Sequence, residues 1–315
     1  MRISQHQCGV IQQGSQTSGG RIRRGLGHRH QAQDATLSPV SQDHTPPRPI
    51  HTRSGLAEAL ARLGVGSGDT LLVHASLKAL GWVPGGSLAV VQALLDAVGG
   101  SGTLVVPTQT GENSDPAGWS RPPVPPAWWP VIRAESPGFD PGRTPSTGMG
   151  AIPEQVRTWP GARRSTHPQT SFAALGHHAE DVVAVHDLDS QCGERSPLAA
   201  LERLGARVLL LGAGFGSCTS FHLAEYRVAG PPVITHGAAV LTADGGREWV
   251  TFEDLELDED DFESIGAHLV STGAVSSGRV GEAESHLFDL THAVETARTW
   301  MGEHRRAADR RPTGS

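Results

Sequence analysis

The chain has 315 residues, 37% of them hydrophobic, with 39 glycines and 22 prolines. That length suffices for one large domain or two modest ones, with a buried core and many tight turns. The net charge of −7 excludes a generally basic nucleic-acid binder. The charge is also uneven: residues 1–49 carry +4 and residues 304–315 carry +3, which leaves −14 on residues 50–303. An acidic centre allows a cationic ligand. The three cysteines, Cys8, Cys192 and Cys218, are too widely spaced for a disulfide framework or a zinc cluster, and fit a reducing cytoplasm. No apolar run approaches the ~18 residues of a membrane span, and the N-terminus lacks the apolar stretch of a secretory signal.

Residues 1–49 are rich in Gly, Gln and Ser and read as a disordered or non-native N-terminal extension. From Thr52 to Gly64, apolar residues at 56, 60 and 63, a Thr start and a Gly stop predict a capped helix. Asp69–His74 and Thr103–Pro107 read as buried strands, with a helix over Ser87–Val98 between them. This α-β-α-β opening with short connections points to a parallel or mixed sheet covered by helices. Residues 108–150 hold many prolines and Trp119, Trp128 and Trp129, and read as a long lid or binding loop. Beyond it the patterns predict a helix at Ile152–Trp159, a strand at Ser171–Leu175 and a helix at Ser196–Leu204 with Pro at its first position. Arg207–Gly212 is a third buried strand, followed by a glycine loop and a helix at about 218–227. A hairpin around Asp244-Gly-Gly246, a helix at Ile265–Val270, strands near Val280 and Ser285–Leu290, and a final helix at Thr291–Trp300 complete the pattern. The ordered domain is therefore expected over 50–303, with a disordered basic tail at 304–315.

Four constellations could carry chemistry. The loop Gly212-Ala-Gly214-Phe-Gly216 follows a strand, as a dinucleotide-binding loop does, but its GxGxG spacing is not GxGxxG, and a tight strand-to-helix turn explains it as well. After it, His222 and Glu225 stand i,i+3 on one helix face, where a carboxylate raises the basicity of an imidazole and fixes its tautomer. His167 precedes Pro168, which holds it in constrained, non-helical backbone; Glu225 or a lid acid could partner it. The segment His74-Ala75-Ser76-Leu77-Lys78, between a strand and a helix, suits a phosphate-bearing ligand, although it is not a Walker loop. Finally, Glu112, Asp115, Glu135 and Asp140 place carboxylates among the tryptophans and prolines of the lid, an arrangement suited to ammonium groups. Residues 253–263 hold eight acids and no base, with no indication of where they sit.

In collinear order, LLVHASLKALGWVPGG, GTLVVPTQT, FDPGRTPSTGMGAIPE, RSTHPQTSFAALG and GERSPLAALERLGARVLLLGAGFGSCTSFHLAEYR resemble the aminoglycoside 3-N-acetyltransferase family of antibiotic acetyltransferases, over roughly 52–300. The resemblance implies an α/β fold, a three-layer α/β/α arrangement with a central mixed sheet, unrelated to the GNAT acetyltransferases. It implies transfer from acetyl-CoA to the 3-amino group of a 2-deoxystreptamine aminoglycoside, with no metal, no nucleic acid and no membrane. A homodimer is compatible with it. His74, Ala75, Ser76, Leu77 and Lys78 are then expected to hold CoA, with Ser146, Thr147 and Gly148 lining the same channel. His167 is the expected general base or part of it, and Glu225 its partner or an anchor for the substrate amine; His222 joins them as a catalytic candidate. Asp115 and Asp140 are expected to bind the other ammonium groups. Backbone N–H groups of the first loop are the expected donors to the thioester oxyanion, and direct transfer is expected over an acyl-cysteine at Cys218. An acyltransferase acting on a non-antibiotic amine and a catalytically silent CoA-binding protein are the competing readings.

Overall fold

The computed structural model describes residues 49–120 and 122–308. The expected extension over 1–48 and the last residues of the tail lie outside them.

The helices are α1 (Arg53–Leu63), α2 (Gly86–Val98), α3 (Trp129–Glu135), α4 (Ala151–Arg157), α5 (Ala179–Val183), α6 (Pro197–Arg203), α7 (Ser220–Glu225), α8 (Phe262–Ser271) and α9 (Leu290–Ala308). The strands are β1 (Thr70–Ala75), β2 (Thr103–Pro107), β3 (Arg163–Arg164), β4 (Phe172–Gly176), β5 (Arg207–Leu211), β6 (Val233–Leu241), β7 (Arg247–Leu255), β8 (Ser276–Val280) and β9 (Ala283–Asp289). The predicted caps form. The Thr52 hydroxyl accepts from Gly55 N–H, Gly64 ends α1 at φ +113°, and Ser196 caps α6 ahead of Pro197.

Seven strands make one sheet in the order β3-β4-β2-β1-β5-β9-β8. The central three, β2, β1 and β5, are parallel, and β4 and β9 flank them antiparallel, so the sheet is mixed. Both of its faces are buried. Leu71, Val73, Leu104, Val106, Leu209 and Leu211 pack with α1, α2 and α4, while Leu72, Val105, Val208, Leu210 and Phe288 pack with α6, α7, α8 and α9. The alternation follows from the two-residue period of a strand and yields helix, sheet and helix layers. Among the described residues, no helix is long and apolar enough to cross a membrane.

Two differences from the sequence reading matter for function. The hairpin is longer than its turn signal suggested: β6 and β7 pair over nine residues each as a separate two-stranded sheet. It holds the lid. Asn113 exchanges two side-chain hydrogen bonds with Ala239, Phe139 N–H donates to Ala239 O, and Gln169 donates to Gly237 O. The second difference corrects the boundary at 303. Helix α9 runs to Ala308, because the buried series Leu290, Ala293, Val294, Ala297 and Met301 keeps helical spacing and holds the last turns against α7 and α8.

Candidate active site

In an open α/β sheet, ligands bind beyond the carboxyl ends of the strands, where neighbouring strands send their connections opposite ways. Here β1 has β2 on one side and β5 on the other. The loops after β1, β2 and β5 therefore meet at one edge. Gly212, just after β5, sits at φ +67°, and a Cβ there would come within 2.6 Å of Ala79 Cβ. The glycine lets the loop that follows β1 lie directly against the turn leading to α7.

That turn is a turn only. Gly216 N–H donates to Glu263 Oε1 at 2.7 Å, so the glycine loop faces a carboxylate rather than presenting its amides to a phosphate. Its effect is to start α7, which carries His222 and Glu225. Their separation on the helix brings His222 Nδ1 within 2.6 Å of Glu225 Oε2. A carboxylate accepts, so the neutral imidazole donates from Nδ1 and keeps its lone pair on Nε2. Glu225 is 1% exposed. Its other oxygen, Oε1, accepts from Arg305 Nη1 at 2.6 Å and from Asp258 N–H at 3.1 Å. Phe262 lies against the imidazole, ring centroids 4.7 Å apart.

His74, the penultimate residue of β1, lies on the α7 face, buried, with Nε2 3.4 Å from Thr219 Oγ1. Burial, with the His222 imidazole beside it, pushes it down to about 3, so it is neutral at physiological pH. The rest of the first segment is more open: Ala75, Ser76 and Leu77 are half-buried and Lys78 is exposed. Ser76 N–H is engaged by Leu211 O, and Ala79 N–H turns back to Ser76 O. Ser146 donates through its N–H and its hydroxyl to Glu154 Oε2, which Arg157 holds down to about 2. Thr147 N–H donates to Gln109 O, which keeps this segment, with Gly148 at φ +73°, at the carboxyl end of β2.

Three of the expected residues are held by contacts of their own. The His167–Glu225 pair does not form. His167 is fully buried, its Nδ1 accepting from Gln169 N–H and Thr170 N–H, both at 3.1 Å, and its Nε2 facing Leu188 O at 3.3 Å. Pro168 turns the chain sharply enough for the ring to cap its own turn. Burial brings this histidine down to about 4 although the Leu188 carbonyl and the Asp254 carboxylate oppose the fall, and its ring lies tilted against His186 at 4.8 Å between centroids. Nor does Asp115 offer a free carboxylate: Arg133 takes both oxygens at 2.7 and 3.1 Å. Asp140 folds back on Gly142 N–H and Arg143 N–H, with Arg143 the neighbouring cation at 3.8 Å.

The acidic run 253–263 lies beside the His222–Glu225 pair. It leaves β7, passes the His222–Glu225 pair and enters α8. Burial raises the Glu259 carboxyl, and the adjacent His222 opposes that rise. Asp254, 4% exposed, accepts from Gln191 N–H and Tyr226 O–H and ties the hairpin to the end of α7. Cys218 is also buried; its thiol is pushed up to about 12. A separate cavity of about 270 Å³ lies between lid and hairpin, lined by Phe139, Asp140, Pro141, Thr166, Val240 and Leu241, none of them in the His222 cluster.

Sequence reasoning missed Arg305, Asp258, Asp261 and Glu259. The acids were visible as a run without a location. Arg305 follows Met301 by four residues, so continuing the helical period past Trp300 would have placed it on the buried face.

Comparison with known proteins agrees with this architecture. The family model described as aminoglycoside 3-N-acetyltransferase matches residues 72–302. The SPbeta prophage-derived aminoglycoside N(3')-acetyltransferase-like protein YokD of Bacillus subtilis (strain 168) is 43% identical over 251 residues, 79% of this chain and 92% of the relative. Its crystal structure superposes with a TM-score of 0.80 at 42% identity, over 82% of this chain and 96% of that one. Aminoglycoside N(3)-acetyltransferase IX of Micromonospora chalcea is 36% identical over 271 residues, 79% of this chain and 93% of the relative. The solved binary complex of AAC-IIIb with CoASH has a TM-score of 0.72 at 33% identity, covering 85% of this chain and 100% of that one.

Proposed function

The chain belongs to the aminoglycoside 3-N-acetyltransferase family, and we propose that it transfers the acetyl group of acetyl-CoA directly to the 3-amino group of a 2-deoxystreptamine aminoglycoside, with His222 as general base. The observation that carries this reading is the 2.6 Å contact between His222 Nδ1 and the buried Glu225, set at the carboxyl edge of the sheet. An alkylammonium has no lone pair at neutral pH and must lose a proton before it attacks a thioester. Nε2 of His222 takes that proton while Glu225 holds the ring and stabilises the imidazolium. The amine nitrogen then bonds to the acetyl carbon, the carbon–sulfur bond breaks, the nitrogen gives up its second proton to the departing CoA thiolate, and the imidazolium returns the first to solvent. Products are the N-acetylated amine and CoA.

Acetyl-CoA is assigned to the cleft between the loop after β1 and the segment at Ser146, Thr147 and Gly148. Support comes from their common position at the sheet edge, from the exposed Lys78 cation, and from the CoASH-bound relative. Because Ser76 N–H is engaged, the amides of Leu77 and Lys78, which take no acceptor among the described residues, are the donors for the thioester oxygen. Direct transfer is favoured over a covalent intermediate because a buried thiol at about 12 is almost wholly un-ionised at pH 7. Glu259, half-buried beside His222, binds a further ammonium group and helps hold the chosen amine in line.

Release of free thiol from acetyl-CoA, measured against a panel of deoxystreptamine antibiotics and unrelated amines, tests the reading. Turnover with the antibiotics, reduced ~10²- to 10⁴-fold by His222→Ala, is the expected result. Turnover only with unrelated amines would move the enzyme to another substrate, and an undiminished His222→Ala would remove the base.

A further inference from the structure

Glu225 is almost fully buried, and a buried carboxylate needs a compensating cation. Two groups can supply one. The first is His222, if it is protonated. The second is Arg305, in the last turns of α9, whose Nη1 lies 2.6 Å from Glu225 Oε1. Arg305 is itself fixed in place: Nε and Nη2 donate to the two oxygens of Asp261, each at 2.8 Å, and Nη2 also donates to Asp258 O at 2.8 Å. Burial pulls its pKa down, but the carboxylates of Asp261 and Glu225 outweigh this and keep it above the ordinary arginine value. The residue lies beyond the 72–302 segment that the family model matches and within the stretch that composition marks as tail.

We propose that Arg305 is a positioning residue that compensates Glu225 permanently, so that His222 can remain a neutral base in the working pH range. The inference rests on His222 being the base. With Arg305 present, the buried carboxylate is matched without a proton on the imidazole, and Nε2 stays available. Without it, the imidazolium is the remaining cation that can match the buried carboxylate, and Nε2 is less available as a base. The groups that face His222 are Glu225 from α7, His74 from β1, Asp258 and Glu259 from the run entering α8, and, through Arg305, Asp261 at the start of α8. His74 is uncharged there, and Asp261 is paired with Arg305, so the guanidinium is the one cation of the cluster among the described residues.

The test compares pH profiles of kcat/KM for the wild-type chain, Arg305→Gln, Arg305→Lys and Asp261→Asn. In R305Q the acid limb should rise by roughly one pH unit, a ~10-fold loss on that limb with far less change on the alkaline side. Arg305→Lys keeps the charge and should restore most of the limb. D261N leaves the guanidinium uncompensated and should move the limb down, so it carries the test if R305Q does not fold. An equal loss at every pH with an unmoved limb, or a Lys variant no better than Gln, overturns the proposal in favour of a purely structural role. NMR titration of the His222 ring proton in the substrate-free proteins reads the same shift without any acyl transfer. A shifted titration in a protein that acetylates no amine would leave this inference standing and refute the substrate assignment; active enzymes with unshifted titrations would do the reverse.

Discussion

Replacing His167 by alanine separates its structural role from catalysis, because the two histidines in the recognisable motifs should fail in opposite ways. His167 Nδ1 accepts from the amides of Gln169 and Thr170, both in buried residues. Alanine leaves those two donors without an acceptor, at about 1–3 kcal/mol each, so the substitution should destabilise the fold by roughly 2–6 kcal/mol. Set against a typical stability of about 5–15 kcal/mol, that is a large fraction. For a domain of this size it corresponds to a fall in Tm of roughly 5–20 °C. The ring touches Leu188, Thr170, His186 and Phe252 and makes no contact with Glu225. Folded H167A, assayed by thiol release well below its Tm, should therefore keep activity within a few-fold of wild type. His222→Ala should do the reverse. Glu225 keeps Arg305 and Asp258 N–H, so the Tm changes little while kcat falls ~10²- to 10⁴-fold. An H167A protein with wild-type Tm and a hundredfold loss of kcat would refute this assignment and return the base to His167.

Three further outcomes follow from the same contacts. Burial holds His74 at about 3, His167 at about 4 and His186 at about 3, all below the 6.5 of an exposed histidine. The unfolded chain therefore binds protons first as pH falls below about 6.5, so their stabilisation is complete above that pH and is lost on descending towards 4; circular dichroism should show acid unfolding above pH 4, and an intact fold at pH 3.5 would contradict it. Glu259→Gln should raise KM for a polycationic substrate ~10-fold or more while leaving KM for acetyl-CoA unchanged, because a charge-assisted hydrogen bond contributes about 1.5–3 kcal/mol; equal rises in both constants would place Glu259 elsewhere. Gly212→Ala combines a left-handed backbone with a 2.6 Å approach to Ala79 and should destabilise by about 2–4 kcal/mol in a denaturant titration, whereas a change below 0.5 kcal/mol would show that the two loops do not depend on this approach.

The layered fold was legible because its determinants are local. Short buried runs such as Leu71–Val73 and Val208–Leu211, separated by a capped amphipathic helix and glycine stops, specify a covered parallel sheet without reference to distant residues. The His222–Glu225 pair was legible for the same reason, since i,i+3 spacing on a helix is itself a contact. The surroundings of His167 were not legible, because sequence shows that a histidine before proline is held rigidly, but not what it is held against. The donors to its Nδ1 are backbone amides two and three residues on, and its Nε2 faces the carbonyl of Leu188, main-chain groups that leave no trace in side-chain identity. Arg305 was missed through composition: four arginines in the final twelve residues resemble a solvated tail, and only the periodicity inherited from α9 distinguishes the first of them.

The charge of −14 on residues 50–303 suggested an acidic cleft, but a sum over charges does not say which carboxylates remain available to a ligand. In the run 253–263, Asp254 is engaged by Gln191 and Tyr226, Asp261 by Arg305, and Glu263 by Gly216. Asp258 contributes its backbone on both sides, the N–H to Glu225 and the carbonyl to Arg305. These acids build the site rather than bind in it. Glu259 differs. It is half-buried, its carboxyl is raised by burial, and the nearby His222 opposes that rise. A carboxylate that burial makes costly to ionise gains most from an incoming ammonium, since the ligand supplies the missing cation. In the proposed reaction, Glu259 would thus be the acid that gains most when a cationic substrate arrives. The −14 is an excess that the lysines and arginines of residues 50–303 leave unmatched, so attraction of a polycation to this edge depends on where that excess sits as well as on its total.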